Sequence, residues 1–249
     1  MRGGPRRLRA VGPPTAALIC AAVLLGAASV RAQDTLTCGV PFTRTLQAGG
    51  TDTFNVSTPP GSQVVIQSSA VSTSFGPRDM LLTGPGGFSI ESVTGIIGPF
   101  TGRADVLTLQ ISQLIGTTGG EYTVELNVVS GDAANCGRPL QCGATPDGTV
   151  LAVPGEVDSF QTPPLTAGEM VTFKVNYLQS PGGPRLRLYA PDGSQVLDSC
   201  SSTIQVRPNQ SGIYTALVFA GCGTTDETGY RINPIISCPA DCEARHDYA

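Results

Sequence analysis

The 249-residue chain has no tryptophan, one histidine and few charged residues, which make up 14% of it. The histidine, His246, lies in a polar tail beyond the last cysteine. Nucleophilic catalysis by serine or cysteine needs a base that a rigid scaffold holds beside the nucleophile, so a tail histidine does not suit that role. With a single histidine, the chain also lacks the zinc motifs that are built on several histidines. No glycine-rich segment ends in Gly-Lys-Ser/Thr, as a phosphate-binding loop would.

The first 32 residues have the three parts of an export signal peptide. Four arginines precede the apolar run Thr15–Ala28, and Val30-Arg31-Ala32 offers the small residues that signal peptidase requires. This run is too short for a transmembrane helix, and no later segment is suited to one. We therefore expect a secreted, extracellular or periplasmic protein with no transmembrane segment in its mature chain.

The mature chain is expected to be acidic. The full chain has a formal net charge of −4, and residues 1–32 contain five arginines and no acid, so the mature net charge would be −9. Such a surface repels phosphate backbones, which argues against nucleic acid as a partner. With 31 glycines and 20 prolines, the composition is typical of a turn-rich all-β protein.

Cysteine recurs at nearly the same interval twice, since Cys38 and Cys136 are 98 residues apart and Cys142 and Cys238 are 96 apart. This spacing predicts two domains, each with a disulfide between its first and last strands. In the chain-entropy account each bond would stabilise its domain by about 4–5 kcal/mol. The predicted order is a signal peptide (1–32), a β-sandwich domain (33–136), a linker (137–141), a second β-sandwich domain (142–238) and a C-terminal tail (239–249).

Three further cysteines remain in the mature chain. Cys200 and Cys222 would form an internal disulfide of the second domain. Cys242 is then unpaired, either as a free thiol or as the link of a disulfide-bonded dimer.

A rival arrangement pairs Cys136 with Cys142 and Cys238 with Cys242, which leaves Cys38 without a partner. The four cysteines of these two short-range pairs could instead bind one zinc ion through their thiolates. Disulfides are the favoured interpretation, because an exported chain folds under oxidising conditions.

Apolar and polar residues alternate with period two in several short runs of the second half, which predicts β-strands separated by Pro-Gly and Asp-Gly turns. The clearest runs are 171–177, 185–188, 204–207 and 230–233. The first half repeats the landmarks of the second at offsets of 104 to 106 residues: Asp52 matches Asp158, Pro59 matches Pro163 and Pro85 matches Pro191. We therefore predict an all-β protein of two tandem antiparallel β-sandwiches, jelly-roll or Ig-like. Between Ser89 and Gly119 the pattern places no strands.

Five segments of the second half follow one another in a recognisable order. They are Gly155-Glu-Val-Asp-Ser-Phe, Ala167-Gly-Glu-Met-Val-Thr-Phe, Leu186-Arg-Leu-Tyr-Ala-Pro-Asp-Gly, Ser211-Gly-Ile-Tyr-Thr and Thr228-Gly-Tyr-Arg-Ile. This order resembles the bacterial pre-peptidase C-terminal domain, and the resemblance extends more loosely over the first half. It implies a β-sandwich fold and an exported, non-catalytic accessory or binding role.

Paired carboxylates are the one route to hydrolysis that needs no histidine. Asp52 and Asp158 occupy matching positions of the two repeats, and Asp79 and Glu91 lie in a loop-like context. Acids that match between repeats at strand starts more often stabilise turns, so a carboxylate-dependent hydrolase is the least favoured hypothesis and we expect no enzyme.

No cofactor is expected. Structural calcium is considered because several acidic residues could supply oxygen ligands. Asp147 and the pair Asp226-Glu227 could contribute ligands in sandwich loops, but no Asp-x-Asp-x-Asp spacing is present. Solvated turn acids are the favoured interpretation, with structural calcium as the alternative.

The sequence thus favours a secreted, non-catalytic binding or scaffolding protein that recognises a surface protein or a polysaccharide through sandwich loops. Residues 68–78, 95–103 and 221–229 are the loops expected to supply contacts. The alternative is a structural subunit that assembles through Cys242 or through an exposed sheet edge.

Overall fold

The computed structural model describes residues 33–71, 78–113, 119–131, 135–140, 155–175, 183–222 and 235–237. Every regular element among them is a β-strand, apart from a short 3-10 turn at Pro85–Gly87. The all-β class predicted from the alternating patterns is confirmed.

The first β-sandwich is built from the strands of residues 34–128. They are β1 (Asp34–Leu36), β2 (Phe42–Leu46), β3 (Thr51–Val56), β4 (Gln63–Ala70), β5 (Arg78–Gly84), β6 (Phe88–Ser92), β7 (Ile96–Thr101), β8 (Leu107–Gln113) and β9 (Gly120–Val128). One sheet has the order β1-β3-β8-β5-β6 and the other has the order β2-β9-β4-β7. The apolar core lies between these sheets, since it joins Phe54 and Leu109 of the first sheet to Ile66 and Tyr122 of the second.

A second β-sandwich follows. Its strands are β10 (Arg138–Pro139), β11 (Val157–Gln161), β12 (Val171–Lys174), β13 (Gly183–Tyr189), β14 (Gln195–Ser199), β15 (Thr203–Val206), β16 (Thr215–Cys222) and β17 (Ile235–Ser237). The orders are β10-β11-β16-β13-β14 in one sheet and β15-β12-β17 in the other. Phe160 and Leu188 of the first sheet meet Phe173 and Ile204 of the second in a separate core.

The two sandwiches share one topology. Each five-stranded sheet begins with a short edge strand that runs parallel to its neighbour, β1 beside β3 and β10 beside β11. Across the rest of the first sheet the order is β3-β8-β5-β6, and the corresponding order in the second sandwich is β11-β16-β13-β14. In the other two sheets, β4 lies between β9 and β7, and β12 lies in the same way between β17 and β15. This correspondence supports the duplication that the landmark offsets indicate.

A buried threonine has the same role in both copies. Thr58 and Thr162 each open a Thr-Pro-Pro segment and are 5% and 3% exposed. The Oγ1 atom of Thr58 accepts a hydrogen bond from the backbone N–H of Arg103 at 2.8 Å. That of Thr162 accepts one from the N–H of Tyr214 at 2.9 Å. Each threonine thus provides an acceptor for a backbone N–H that lies just before a strand, β8 in the first sandwich and β16 in the second. This shared role explains why the motif occurs twice.

Cys38 and Cys136 form a disulfide, with their Cα atoms 5.8 Å apart. Cys38 lies beside β9 through a bridge to Leu126, so the bond joins the first strand of the sandwich to the segment after its last. The preferred pairing is confirmed for this half, and the rival Cys136–Cys142 bond is wrong because Cys136 is already bonded.

The other cysteines are less fully described. Cys200 is disulfide-bonded, but its partner is not among the described side chains, so its bond to Cys222 stays a prediction. Cys142, Cys238 and Cys242 lie outside the described residues, and the predictions made for them remain untested.

Three segments differ from the sequence-based expectation. In the range 89–119, where no strand was placed, Leu107–Gln113 forms β8 with alternating buried and more exposed residues. Residues 96–101 of the expected loop 95–103 form β7, which pairs with β4. Their pattern is broken by Gly98 and Pro99, and this is why no strand could be placed there. In the expected linker, Arg138 and Pro139 form β10 and pair with β11. The expected loops 68–78 and 221–229 lie largely outside the described residues.

We expect Thr58→Val and Thr162→Val to destabilise the protein by about 1–3 kcal/mol each. Valine keeps the shape of threonine but leaves the N–H of Arg103 or Tyr214 without its acceptor. Urea unfolding of the variants beside the wild type measures the loss. Thr166→Val, at an exposed position of the same half, is the matched control. Equal stability of all three variants would contradict the role assigned to the Thr-Pro-Pro motif.

Candidate functional site

The two repeat-matched acids lie in different sandwiches and do not form a pair. Asp52 accepts a hydrogen bond from the Tyr122 hydroxyl at 2.7 Å and lies 3.9 Å from the Arg44 guanidinium. Asp158 forms an ion pair with Arg138. Each carboxylate is thus committed to a partner within its own sandwich, and the two do not share a cleft.

In both sandwiches the ion pair lies beside a phenylalanine of the core, although the two arginines come from strands that do not correspond, β2 and β10. Arg44 lies over the rings of Phe42 and Phe54, at 5.2 and 5.5 Å from their centroids. Arg138 lies over the ring of Phe160 at 4.9 Å. In both copies an arginine covers the edge of the core and neutralises the acid two residues before the phenylalanine. Asp52 and Asp158 therefore have a structural role.

The remaining acidic candidates do not form a metal site among the described residues. Asp79 and Glu91 lie on adjacent strands, β5 and β6, of one sheet. Within the described ranges no group of three or more His, Cys, Asp or Glu side chains is placed to hold a metal ion. Asp147 and the pair Asp226-Glu227 lie outside those ranges, so structural calcium stays an untested hypothesis.

The outer face of sheet β2-β9-β4-β7 packs against the outer face of sheet β10-β11-β16-β13-β14, and we call this contact the joint. Its apolar part joins residues of both sandwiches in one cluster: Val65, Ile96, Val129, Val157, Tyr189, Leu217 and Phe219. The described residues from Gln33 onward accordingly belong to one compact unit. The division into two separate domains stays a prediction.

Glu125 of β9 is buried in the joint, with 1% of its surface exposed. Its Oε2 atom accepts a hydrogen bond from the backbone N–H of Val157 in β11 at 3.0 Å, and Oε1 accepts one from Asn127 Nδ2 at 3.1 Å. Burial raises the pKa of Glu125 to about 7; the two hydrogen bonds lower it, and the nearby acids Glu156 and Asp158 raise it further. Near neutral pH this carboxyl is thus part protonated and part ionised.

Asp158, beside Val157 in β11, has a perturbed pKa as well. Burial raises it to about 6, although the Arg138 guanidinium opposes the shift. Its Oδ2 atom has no hydrogen-bond partner, and the same holds for Oδ1 of Asn127. Two raised carboxyl pKa values therefore lie in and next to the joint.

Asn135 ties the two sandwiches together at the end of the connector. Its side-chain nitrogen donates to the carbonyl of Ser130, at 3.0 Å, and to Oγ1 of Thr215 in β16, at 2.5 Å. Beside it the backbone N–H of Gly131 donates to the carbonyl of Pro191 at 2.9 Å. Polar bonds thus add to the apolar contact of the joint.

The sequence analysis did not find the joint, because β9 has the pattern of a half-exposed strand. Its Tyr122, Val124 and Leu126 alternate with Thr123 and Glu125, so the polar set is expected to face water. Every β9 residue from 122 to 128 is buried instead. The sequence pattern that indicates the joint lies in β4 and β16, where the runs Val64–Ile66 and Ala216–Phe219 are apolar without alternation. Such runs are typical of strands that are buried on both faces.

Three loops of the second sandwich lie together beside the joint, and part of their surface is exposed. We call these loops the loop platform, which consists of residues 162–170, 190–194 and 207–214. Leu165 and Gly212 exchange two backbone hydrogen bonds of 2.8 and 2.9 Å. Arg207 Nη1 donates to the carbonyl of Gly168 at 3.0 Å. The first and third loops are therefore fixed to each other.

The middle loop joins the same network. Gln210 Nε2 donates to Asp192 Oδ2 at 2.6 Å, and the Tyr214 hydroxyl donates to the carbonyl of Gln210 at 2.9 Å. Hydrogen bonds from Ser194 and Gln210 lower the pKa of Asp192. Three loops thus form one hydrogen-bonded surface, on which Met170 is 46% exposed.

Comparisons with known proteins give no family. No family model matches the chain, and no curated protein matches it. The resemblance to the pre-peptidase C-terminal domain therefore stays a prediction. Among the described residues no helix is long and apolar enough to cross a membrane.

Some solved structures are weakly similar. A periplasmic inhibitor of g-type lysozyme, PliG of Salmonella Typhimurium, is 16% identical over 38% of this chain and 95% of its own, with a TM-score of 0.29. The CUB1-EGF-CUB2 domains of human MASP-1/3 are 9% identical over 79% and 99%, with a TM-score of 0.22. The extracellular region of zebrafish Gpr126/Adgrg6 is 8% identical over 86% and 38%, with a TM-score of 0.24. Likenesses of this size give no argument about function.

We expect Gly193→Ala to weaken the joint more than Gly168→Ala weakens the loop platform. Both glycines have φ near +80°, so alanine is strained to a similar degree at each. A Cβ atom at position 193 would also lie 2.2 Å from the Cβ of Gln63 in the first sandwich, whereas at position 168 it would meet nothing within 4 Å. The extra loss should be about 1–3 kcal/mol.

Urea unfolding of the two variants side by side measures this difference. Equal stability would show that the turn of residues 190–194 does not pack against Gln63.

Proposed function

We propose that this chain is a secreted, non-catalytic binding protein that recognises a cell-surface protein or polysaccharide through its loop platform. The observation that carries the proposal is the hydrogen-bond network that fixes three loops to one another, one of which ends in the exposed Met170. Loops that are ordered before binding lose little conformational entropy when a ligand docks, so a modest contact area suffices for specific recognition.

The chemistry of the platform suits a macromolecular ligand. It combines an apolar side chain, Met170, with the exposed acid Glu169 and the exposed base Arg207. An apolar centre with a polar rim is typical of protein-binding surfaces, and the backbone carbonyls and amides of such loops also suit the hydroxyls of a polysaccharide. The two repeat-matched acids are held in structural ion pairs, which supports a non-catalytic role.

The alternative, a structural subunit, receives less support from the sheet faces. The joint is a contact between unlike faces, and a similar contact between molecules would build a filament. The face of the first sandwich that matches the joint face of the second is polar, however: Thr53 and Gln110 stand where the second copy has Ser159 and Leu217. Such a face resembles the polar cap that ends a stack of repeats. Assembly through Cys242 stays a separate prediction.

We expect Met170→Ser to raise the dissociation constant of the mature protein for the insoluble surface fraction of the producing cell by about tenfold, which corresponds to about 1.4 kcal/mol. Serine removes apolar contact area from the platform without disturbing its hydrogen bonds. Sedimentation of the labelled protein with the fraction, over a range of concentrations, gives the constant.

Val93→Ser is the matched control. Val93 is also exposed, at 59%, but lies in the turn between β6 and β7 of the first sandwich. Equal binding by the wild type and both variants, or no saturable binding by the wild type, would contradict the proposed function. Non-reducing electrophoresis of the same preparation, with Cys242→Ser for comparison, tests the disulfide-linked dimer.

A further inference from the structure

The joint places an ionisable group where ionisation is costly. The carboxyl of Glu125 lies between β9 of the first sandwich and β11 of the second, and its surface is almost wholly buried. An ionised carboxylate loses its hydration there, and the loss is offset only where a cation or enough hydrogen-bond donors face it.

The charged groups of the second sandwich that act on Glu125 or lie near the joint do not offset that cost. Glu156 and Asp158, on either side of Val157, have the same sign as an ionised Glu125. Arg138 of β10 is ion-paired with Asp158. Arg187 of β13 is ion-paired with Asp198 at 3.0 Å. Each cation described around the joint is thus bound to another acid.

The remaining described side chains packed here carry no charge. On β4, Gln67 lies directly opposite Glu125. On β16, Leu217 and Phe219 are apolar members of the joint. Burial raises the pKa of Tyr189 above its usual value, so this residue of β13 remains neutral throughout the relevant pH range. Ionisation of Glu125 therefore meets uncharged side chains, two carboxyls, and two guanidiniums that are already paired with acids.

The segment between Cys136 and Arg138 would keep the two sandwiches attached if the sheet faces of the joint separated. Cys136 is bonded to Cys38 in the first sandwich, and Arg138 already begins β10 of the second. Only Gly137 lies between these two attachment points. These two attachments would hold the sandwiches close together if the joint opened.

We propose that the joint is a pH-dependent latch, which is closed in acid and loosens as the pH rises and the carboxyl of Glu125 ionises. This inference concerns the contact between the two sandwiches and does not depend on the ligand of the loop platform.

The direction follows from linkage. Glu125 has a pKa of about 7 in the closed joint against 4.5 in solvent, so the closed form binds the proton more tightly. The stabilisation is complete below about pH 4.5, decreases as the pH rises, and is lost above 7. For Glu125 alone, the opening equilibrium can change by at most about 300-fold.

Amide hydrogen exchange, followed by NMR at pH 5 and pH 8 and corrected for intrinsic exchange rates, tests the latch. The readout is the backbone N–H of Gly131, which bonds to Pro191 across the joint and does not touch Glu125. Thr162, whose N–H bonds to Tyr214 within the second sandwich, is the reference. We expect the opening constant at Gly131 to rise at least tenfold from pH 5 to pH 8, while that at Thr162 stays constant.

Glu125→Gln retains a buried polar side chain that cannot ionise, and it should abolish the change at Gly131. Glu91→Gln, which removes an exposed acid of β6, should leave that change intact. A wild type with equal protection of Gly131 at both pH values would overturn the proposal, even if Glu125→Gln failed to fold. An undiminished change in a folded Glu125→Gln protein would overturn it as well.

Discussion

The stacking of one sandwich face on the other is the constraint on which the rest of the structure depends. It buries β9 and much of β4 and β11 on both faces, so these strands have no side that water can reach. The apolar members of the joint drive the contact, because each removes surface from solvent. The polar residues enclosed with them must find partners within the protein, and Glu125 and Asn135 do so by bonding across the joint.

The duplication that the landmark offsets predict would account for a contact between two copies of one fold. Both sandwiches keep the same strand order and the same buried threonine. The copies differ in the faces they turn outward. Leu217 in the joint corresponds to Gln110 on the free face of the first sandwich. A shared fold thus carries two surfaces with different roles, one for internal packing and one for solvent.

Much of the fold was accessible from the sequence for a simple reason. Alternation of side chains is a local property of a strand, and cysteine spacing reflects the length of a sandwich repeat, so the all-β class and the Cys38–Cys136 bond were both predicted correctly. Strand β7 was missed because Gly98 and Pro99 break its pattern. The joint was missed because a polar residue in alternation, such as Glu125, has the same local pattern whether water or a second sheet covers it.

The sequence by itself determined the all-β class and one disulfide, since the first depends on neighbours along the chain and the second on the spacing of two residues. Only the tertiary structure decided which sheet faces meet, which loops are bonded into one platform, and which carboxyls lose their water. Those properties depend on residues far apart in the chain, as when Glu125 meets the amide of Val157, 32 residues away. The pKa of a side chain depends on these three-dimensional surroundings, and the local sequence pattern of its strand gives no information about them.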